Sequence, residues 1–431
     1  TMTLAILELN DQALLIQSED GQSHMEPGFA QLTPTGIKSG DSARASAWKN
    51  PQDSFNQHWR QLNQLPLPRK QNWARHHGDI AYAQIKHMLE SVGSPSNVIL
   101  AVPGCFTDDQ LALLLGLAQA IPVQVDGVID SALAIGLHNN KQTLLIDLQL
   151  QQSVVTLLST KSGTVDVSAQ EIVPDLGIMT IYNGVARHIS DRLIDDYRHD
   201  PLHTSEGEQA IYDQLPSWLM QLGWESEISV SLPSPRGELP LILRTDKIGE
   251  IIEQRLISLN SIIKKYPNAN ISFAHSARLI PAILPRFSKA EVMSQASSAD
   301  NCLAAQQQIV ADSKSLHRIT SLKAVNGKTK SARTNTKANS NTKQHCATHL
   351  LHQNHAWPLD KPLSISLLDE QLTMANGIDN KAVFVAVIEN HQLRIMHQSA
   401  EIAMEIPGHC EPGQEIIIAG HRLGLIEVSN A

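Results

Sequence analysis

The chain has 431 residues, enough for more than one domain of about 100–200 residues, and its apolar fraction of 42% against 4% aromatics means aliphatic cores of Leu, Ile, Val and Ala. With 34 basic and 43 acidic side chains the net charge is -9, which disfavours nucleic acid as a whole-surface partner. No apolar run reaches the ~20 residues that span a bilayer, so no membrane partner is expected. The four cysteines, Cys105, Cys302, Cys346 and Cys410, include no C-x-x-C pair. That sparse usage and the lack of a basic, apolar leader predict a reducing, cytoplasmic setting.

Residues 4–9 and 13–17 are short apolar runs joined by Asn10-Asp11-Gln12, a strand–turn–strand pattern. Glu19-Asp20-Gly21-Gln22 and Thr33-Pro34-Thr35-Gly36 are further turns on either side of a strand at 27–32. A short helix opens at Gly40, with Asp41 or Ser42 placed to cap it. The apolar residues of 79–92 share one helical face. Residues 98–102 form a buried strand ended by Pro103-Gly104. Thr107 and Gln110 make a capping box for a helix at 111–120. A strand at 123–125 leads to a helix of small residues, 130–137, able to approach a sheet closely. Residues 143–148 and 153–159 form a second hairpin, extended by 164–172.

Helices follow at 178–197 and 205–222, the latter with Pro216 as a candidate break. A hairpin at 227–232 and 239–243, a helix at 247–265, a strand at 271–273 and a closing helix at 302–310 complete this part. Residues 313–344 carry eight Lys and Arg and no Asp or Glu. Their Ser, Thr, Asn and Lys cannot bury enough apolar surface to offset chain entropy, so 311–345 read as a disordered basic linker. Residues 346–431 break into eight short strand-like runs with turns such as Asn376-Gly377 and Pro412-Gly413, the pattern of a small β-sandwich.

Three segments carry a resemblance. V-I-L-A-V-P-G-C-F from Val98, V-I-D-S-A-L-A-I-G-L from Val128 and I-D-L-Q-L-Q from Ile146 stand in the order and spacing of V-x-V-P-A-x-F, N-E-P-x-A-A-A-L-A-Y-G-L and D-L-G-G-G-T. That order resembles the DnaK-type heat-shock chaperones, within the actin-like ATPase superfamily. The likeness spans about residues 2–310 in pattern and is tightest over 98–158. It implies an α/β fold of two lobes, each ribonuclease-H-like, with a nucleotide cleft between them. The run P-G-Q-E-I-I-I-A-G-H-R-L from Pro412 is similar to the last two strands of forkhead-associated domains, although the phosphothreonine-reading signatures of that family are not evident.

In the chaperone family two Gly- and Thr-rich turns hold the phosphates, because backbone N–H groups must approach without a Cβ in the way. The first, D-L-G-T-T, corresponds here to Glu8-Leu9-Asn10-Asp11-Gln12. The second, D-L-G-G-G-T, corresponds to Asp147-Leu148-Gln149-Leu150-Gln151-Gln152. The adenosine turn, G-G-S-x-R-x-P, corresponds to 274–281, with Ser276, Arg278 and Pro281 kept and both glycines lost. The carboxylate of N-E-P falls on Gly127. The resemblance therefore marks Glu8, Asn10, Asp11, Asp147, Gln149, Ser276 and Arg278 as a vestigial nucleotide cleft. The expectation is a non-catalytic pseudo-ATPase scaffold with protein partners and no cofactor. The alternative is a divergent ATPase that places ATP and magnesium around Glu8, Asp11 and Asp147.

No nucleophile elbow, H-E-x-x-H or Walker lysine loop is present. His345, Cys346, His349, His352 and His355 would converge only on a helix, and at a linker–strand junction they read as a solvated polar tract. The basic linker lacks aromatics for base stacking and is expected to touch an acidic protein surface, in a salt-sensitive way.

Overall fold

The computed structural model describes residues 3–312 apart from 140 and 224, then 316–325, and 347–427 apart from 353–354, 369–370, 380, 390–391, 400–401, 403 and 407–413. The chain divides into two compact units, Thr1–Ala332 and Arg333–Ala431. The first is mixed α/β, and the described part of the second is β-rich.

Two six-stranded sheets organise the first unit. One runs Arg318–Ile319, Gln124–Asp130, Asn97–Val102, Leu4–Glu8, Leu14–Ser18 and Ser23–Glu26 from edge to edge. Leu4–Glu8, Leu14–Ser18 and Ser23–Glu26 form an antiparallel meander, and Asn97–Val102 then lies parallel to Leu4–Glu8 on its other side. The second sheet runs Glu291–Val292, Asn270–Phe273, Thr143–Leu148, Ser153–Lys161, Thr164–Val173 and Ser321–Lys323. Its plan is the same: an antiparallel meander whose first strand, Thr143–Leu148, is joined on its other side by the parallel strand Asn270–Phe273. Every residue of Leu4–Glu8 and of Thr143–Leu148 is buried, as expected for central strands covered on both faces.

The two sheets share apolar packing. Leu4, Ile6, Ile99 and Ile129 from the first sheet and Leu158 and Val165 from the second belong to one cluster. The helix Ser131–Gly136 lies in that cluster, and a Cβ on Gly136 would overlap the Leu158 side chain. The small residues thus permit the close approach their pattern predicts. Away from the sheets, Trp48 stacks on Tyr212 with ring centroids 4.1 Å apart. Trp48 N–H also donates to Gln209 Oε1 at 2.9 Å, and Gln209 Nε2 donates to Arg44 O at 3.0 Å.

Several sequence expectations need correction. Residues 316–325 were expected within the disordered linker, yet Arg318–Ile319 pairs with Gln124–Asp130 and Ser321–Lys323 with Thr164–Val173. One short segment therefore adds an edge strand to each sheet. Residues 311–312 end the helix Gln306–Asp312, and 313–315 and 326–346 lie outside the described residues. Pro216 does not break its helix, which is continuous over Ser205–Gln221. Leu215, Trp218 and Leu219 around it are buried, and that packing outweighs the hydrogen bond a proline removes. The helix expected at 247–265 is two, Thr245–Glu253 and Ile257–Lys265, parted by a tight turn in which Arg255 N–H donates to Ile252 O. The closing helix is likewise Ser297–Ala304 and Gln306–Asp312. The short helix Gly40–Arg44 is preceded by Ser39 and has no side-chain cap.

In the second unit a five-stranded and a four-stranded antiparallel sheet contribute to one apolar cluster. Glu415–Ile418 and His421–Ile426 form a hairpin whose two turn residues, Ala419 and Gly420, both have positive φ, the backbone such a tight turn demands. The histidine tract is a strand, not a helix: His349–His352 pairs with His355–Pro358. Side chains at 349 and 352 then point to opposite faces, so the helical convergence of imidazoles does not exist. His345 and Cys346 lie outside the described residues.

Candidate functional site

The turn of the first hairpin meets the turn of the second directly. Asn10 Nδ2 donates to Asp147 Oδ1 at 2.7 Å and to Leu148 O at 3.1 Å. Asn10 Oδ1 accepts from the Gln12 N–H at 2.9 Å, which fixes the orientation of the amide. In the other direction Leu150 N–H donates to Asp11 Oδ1 at 2.7 Å. The Leu150 side chain is buried in the larger apolar core. Asn10 and Leu150 thus tie the two turns together through side-chain and backbone contacts.

The second turn is also closed on its own side. Gln149 N–H donates to Gln152 O at 2.9 Å. The helix Ile178–Tyr197 begins against it, with Ile178 N–H donating to Gln149 O at 3.0 Å and Met179 N–H to Leu150 O at 2.9 Å. The first amides of a helix are the groups that otherwise offer an anion site; here they bond to protein carbonyls. Gly177 makes this approach possible, because a Cβ there would run into the backbone of Gln151 and Gln152. Beside the turns is a cavity of about 20 Å³ lined in part by Asp11, Trp59, Arg60, Cys105 and Gln149, room for about one water molecule.

Burial sets the electrostatics. Glu8 is 2% exposed and neither carboxylate oxygen has a hydrogen-bond partner. Burial, reinforced by the nearby Asp147, pushes its pKa up to about 8. Burial likewise raises Asp147 to about 7, against the nearby Gln149 amide and the hydrogen bond from Asn10. Asp11 rises to about 6 for the same reason, with its bond from Leu150 N–H pulling the other way. Burial raises the thiol of Cys105 to about 12; its Sγ lies 3.6 Å from Gln149 Oε1. Burial thus disfavours the charged forms of Glu8 and Asp147.

Glu8, Asn10, Asp11, Asp147 and Gln149 are therefore brought into one interior cluster. Ser276 and Arg278 lie on the single-turn helix His275–Leu279, and Ser276 Oγ has no hydrogen-bond partner. Ser276 is fully buried, and Arg278 Nη2 reaches Val292 O at 3.4 Å. It is His275 that comes near the carboxylates, with Nδ1 3.9 Å from Glu8 Oε1. His275 carries no sequence signal of this contact, since a lone histidine in a turn is ordinary and its Glu8 neighbour is remote along the chain.

Asp130 was also missed. It is fully buried, and its Oδ1 accepts from the N–H groups of Ala132 and Leu133 at 3.0 and 3.3 Å. Its Oδ2 accepts from Gln170 Nε2 at 2.7 Å, a residue of the second sheet. A Cβ on Gly104 would overlap that Gln170 amide. The available signal was an aspartate directly before a run of small residues, the mark of a helix N-cap. Neither the models of known protein families nor the curated proteins contain a match to this chain.

Proposed function

We propose that the first unit is a two-lobed, actin-like body of DnaK type that has lost nucleotide chemistry and serves as a scaffold for a protein partner. The repeated meander-plus-parallel-strand plan of the two sheets supports the two-lobed reading, since each has the strand pattern of a ribonuclease-H-like lobe. The observation that carries the loss of chemistry is the set of bonds from Asn10 to Asp147 and Leu148 and from Leu150 to Asp11. They fill the place where an ATPase of this class would seat phosphates. A divergent magnesium-dependent ATPase using Glu8, Asp11 and Asp147 would need those buried carboxyls to ionise together and the two turns to part. Burial opposes the first, and the bonds between the turns oppose the second.

Packing common to both sheets and the edge strands contributed by 318–323 favour a body that does not open and close. A static body of this kind suits an adaptor. Lys328, Lys330, Arg333, Lys337 and Lys343, with no acidic residue among them, supply a charge that fits an acidic protein surface. The second unit is read as a forkhead-associated-like β domain on the strength of its final hairpin. Single-turnover incubation of the full chain with ATP and magnesium tests the central assignment. Phosphate release should not exceed that of buffer, and release that tracks protein concentration would restore the ATPase reading.

A further inference from the structure

We propose that His24, Glu26 and His87 form a zinc-class divalent metal site on the first unit, outside the cleft. His24 and Glu26 stand two apart on the strand Ser23–Glu26, so both side chains leave the same face. His87 comes to them from the helix His77–Ser91. His24 Nε2 lies 3.2 Å and His87 Nδ1 2.9 Å from the same oxygen, Glu26 Oε2. The three ligand atoms all lie within 4.8 Å of one another. Two imidazole nitrogens and a carboxylate oxygen around a tetrahedral zinc, each about 2.0–2.2 Å from it, would stand roughly 3.3 Å apart. The two separations from Glu26 Oε2 lie within about 0.4 Å of that value, and the two imidazole nitrogens are no more than 4.8 Å apart.

The surroundings position these ligands. Glu26 is 4% exposed, and its other oxygen, Oε1, accepts from Ser39 Oγ at 2.9 Å and Gln84 Nε2 at 2.8 Å. Those bonds hold Oε1 away and leave Oε2 to the histidines, the outer-shell support that metal carboxylates commonly have. Gln84 is itself fixed, accepting from Trp59 Nε1 and donating to Pro27 O. The two imidazole rings are perpendicular, with centroids 5.6 Å apart, so their nitrogens converge without the rings stacking. His87 is exposed and, with Ser39, borders a surface groove of about 660 Å³ that also carries Lys38, Arg75 and Lys86. Three protein ligands with one of them at the surface would suit a site whose fourth ligand is exchangeable.

The test is calorimetric titration of zinc chloride into the chelator-stripped full chain, beside His87→Ala and the double variant His24→Ala/His87→Ala. The chain holds 19 histidines, so the reading is the difference in stoichiometry. Wild type should bind one more equivalent than the double variant, with His87→Ala weakening that equivalent at least 10-fold. Circular dichroism verifies that the variants stay folded; His87 is exposed and its loss leaves the core intact. Gln84→Ala should weaken the same equivalent about 10-fold while leaving all three ligands in place. Equal stoichiometry and affinity in wild type and the double variant would overturn the site and leave a carboxylate hydrogen-bonded by two imidazoles.

Discussion

A chain ended at residue 312 should be less stable in its first unit than one ended at 332 by roughly 4 kcal/mol, about 2 kcal/mol for each of two buried aliphatic side chains lost. Those side chains are Ile319, 1% exposed, and Leu322, 7% exposed. Both sit in the cluster shared by the two sheets. Thr320 O accepts from Val167 N–H at 2.9 Å, and Ala324 N–H donates to Gly163 O at 2.8 Å, so backbone groups would also lose partners. Arg318 adds bonds to Pro103 O and Phe106 O, both at 3.2 Å. Urea unfolding of the two truncated chains reads the difference, and Leu322→Asp in the full chain checks it without truncation. Identical unfolding curves would return 316–325 to the linker.

Glu8→Gln should stabilise the protein at pH 8.5, by on the order of 5 kcal/mol, and leave it nearly unchanged at pH 4. The sign follows from the shift. The Glu8 carboxyl goes from 4.5 to about 8 on burial. Between those values the folded chain holds a proton that the unfolded chain has released, so stability falls as pH rises through that window and the loss is complete above about 8. Glutamine mimics the protonated acid and removes this contribution. Asp147 and Asp11, raised to about 7 and 6, titrate in the same direction, so a shallower slope should persist in the variant. Glu26 works the other way: burial alone would raise it, but hydrogen bonds from His24, His87 and Gln84 bring it to about 2. Its stabilisation is present above its ordinary range and is lost as pH falls toward 2. Denaturant midpoints for wild type and variant across this range measure the effect. Parallel curves at both ends would mean that Glu8 is ionised and solvated in the folded state.

Elements specified by contacts within one turn or one hairpin were legible along the chain. The capping box of Thr107 and Gln110 is formed as its spacing requires, because both bonds lie within one turn of helix. The helix Ile178–Tyr197 has the predicted bounds, set by a long apolar periodicity. The two hairpins that frame the cleft were legible from alternating apolar runs around polar turns. The strands at 318–323 were not: they are two and three residues long, sit in a basic stretch, and pair with strands about 150 residues or more away. No window of sequence contains that pairing.

The polar turns at Asn10 and at 149–151 were readable; that they bond to one another was not, because Asn10 and Asp147 are 137 residues apart. His87 stands 61 residues from Glu26, and the same separation hid that cluster. Turn chemistry at Asp130 was readable as a helix start, but its carboxyl bridging to Gln170 depends on how the second sheet meets the first.

The measurement that bears most directly on the closed cleft is calorimetric titration of ATP and ADP, each with magnesium, into the full chain. The account predicts no saturable heat up to about 1 mM nucleotide, the limit of roughly -4 kcal/mol of binding. Saturable binding near 1 µM, about -8 kcal/mol, would mean that the bonds from Asn10 and Leu150 open for a ligand, and would contradict the scaffold reading.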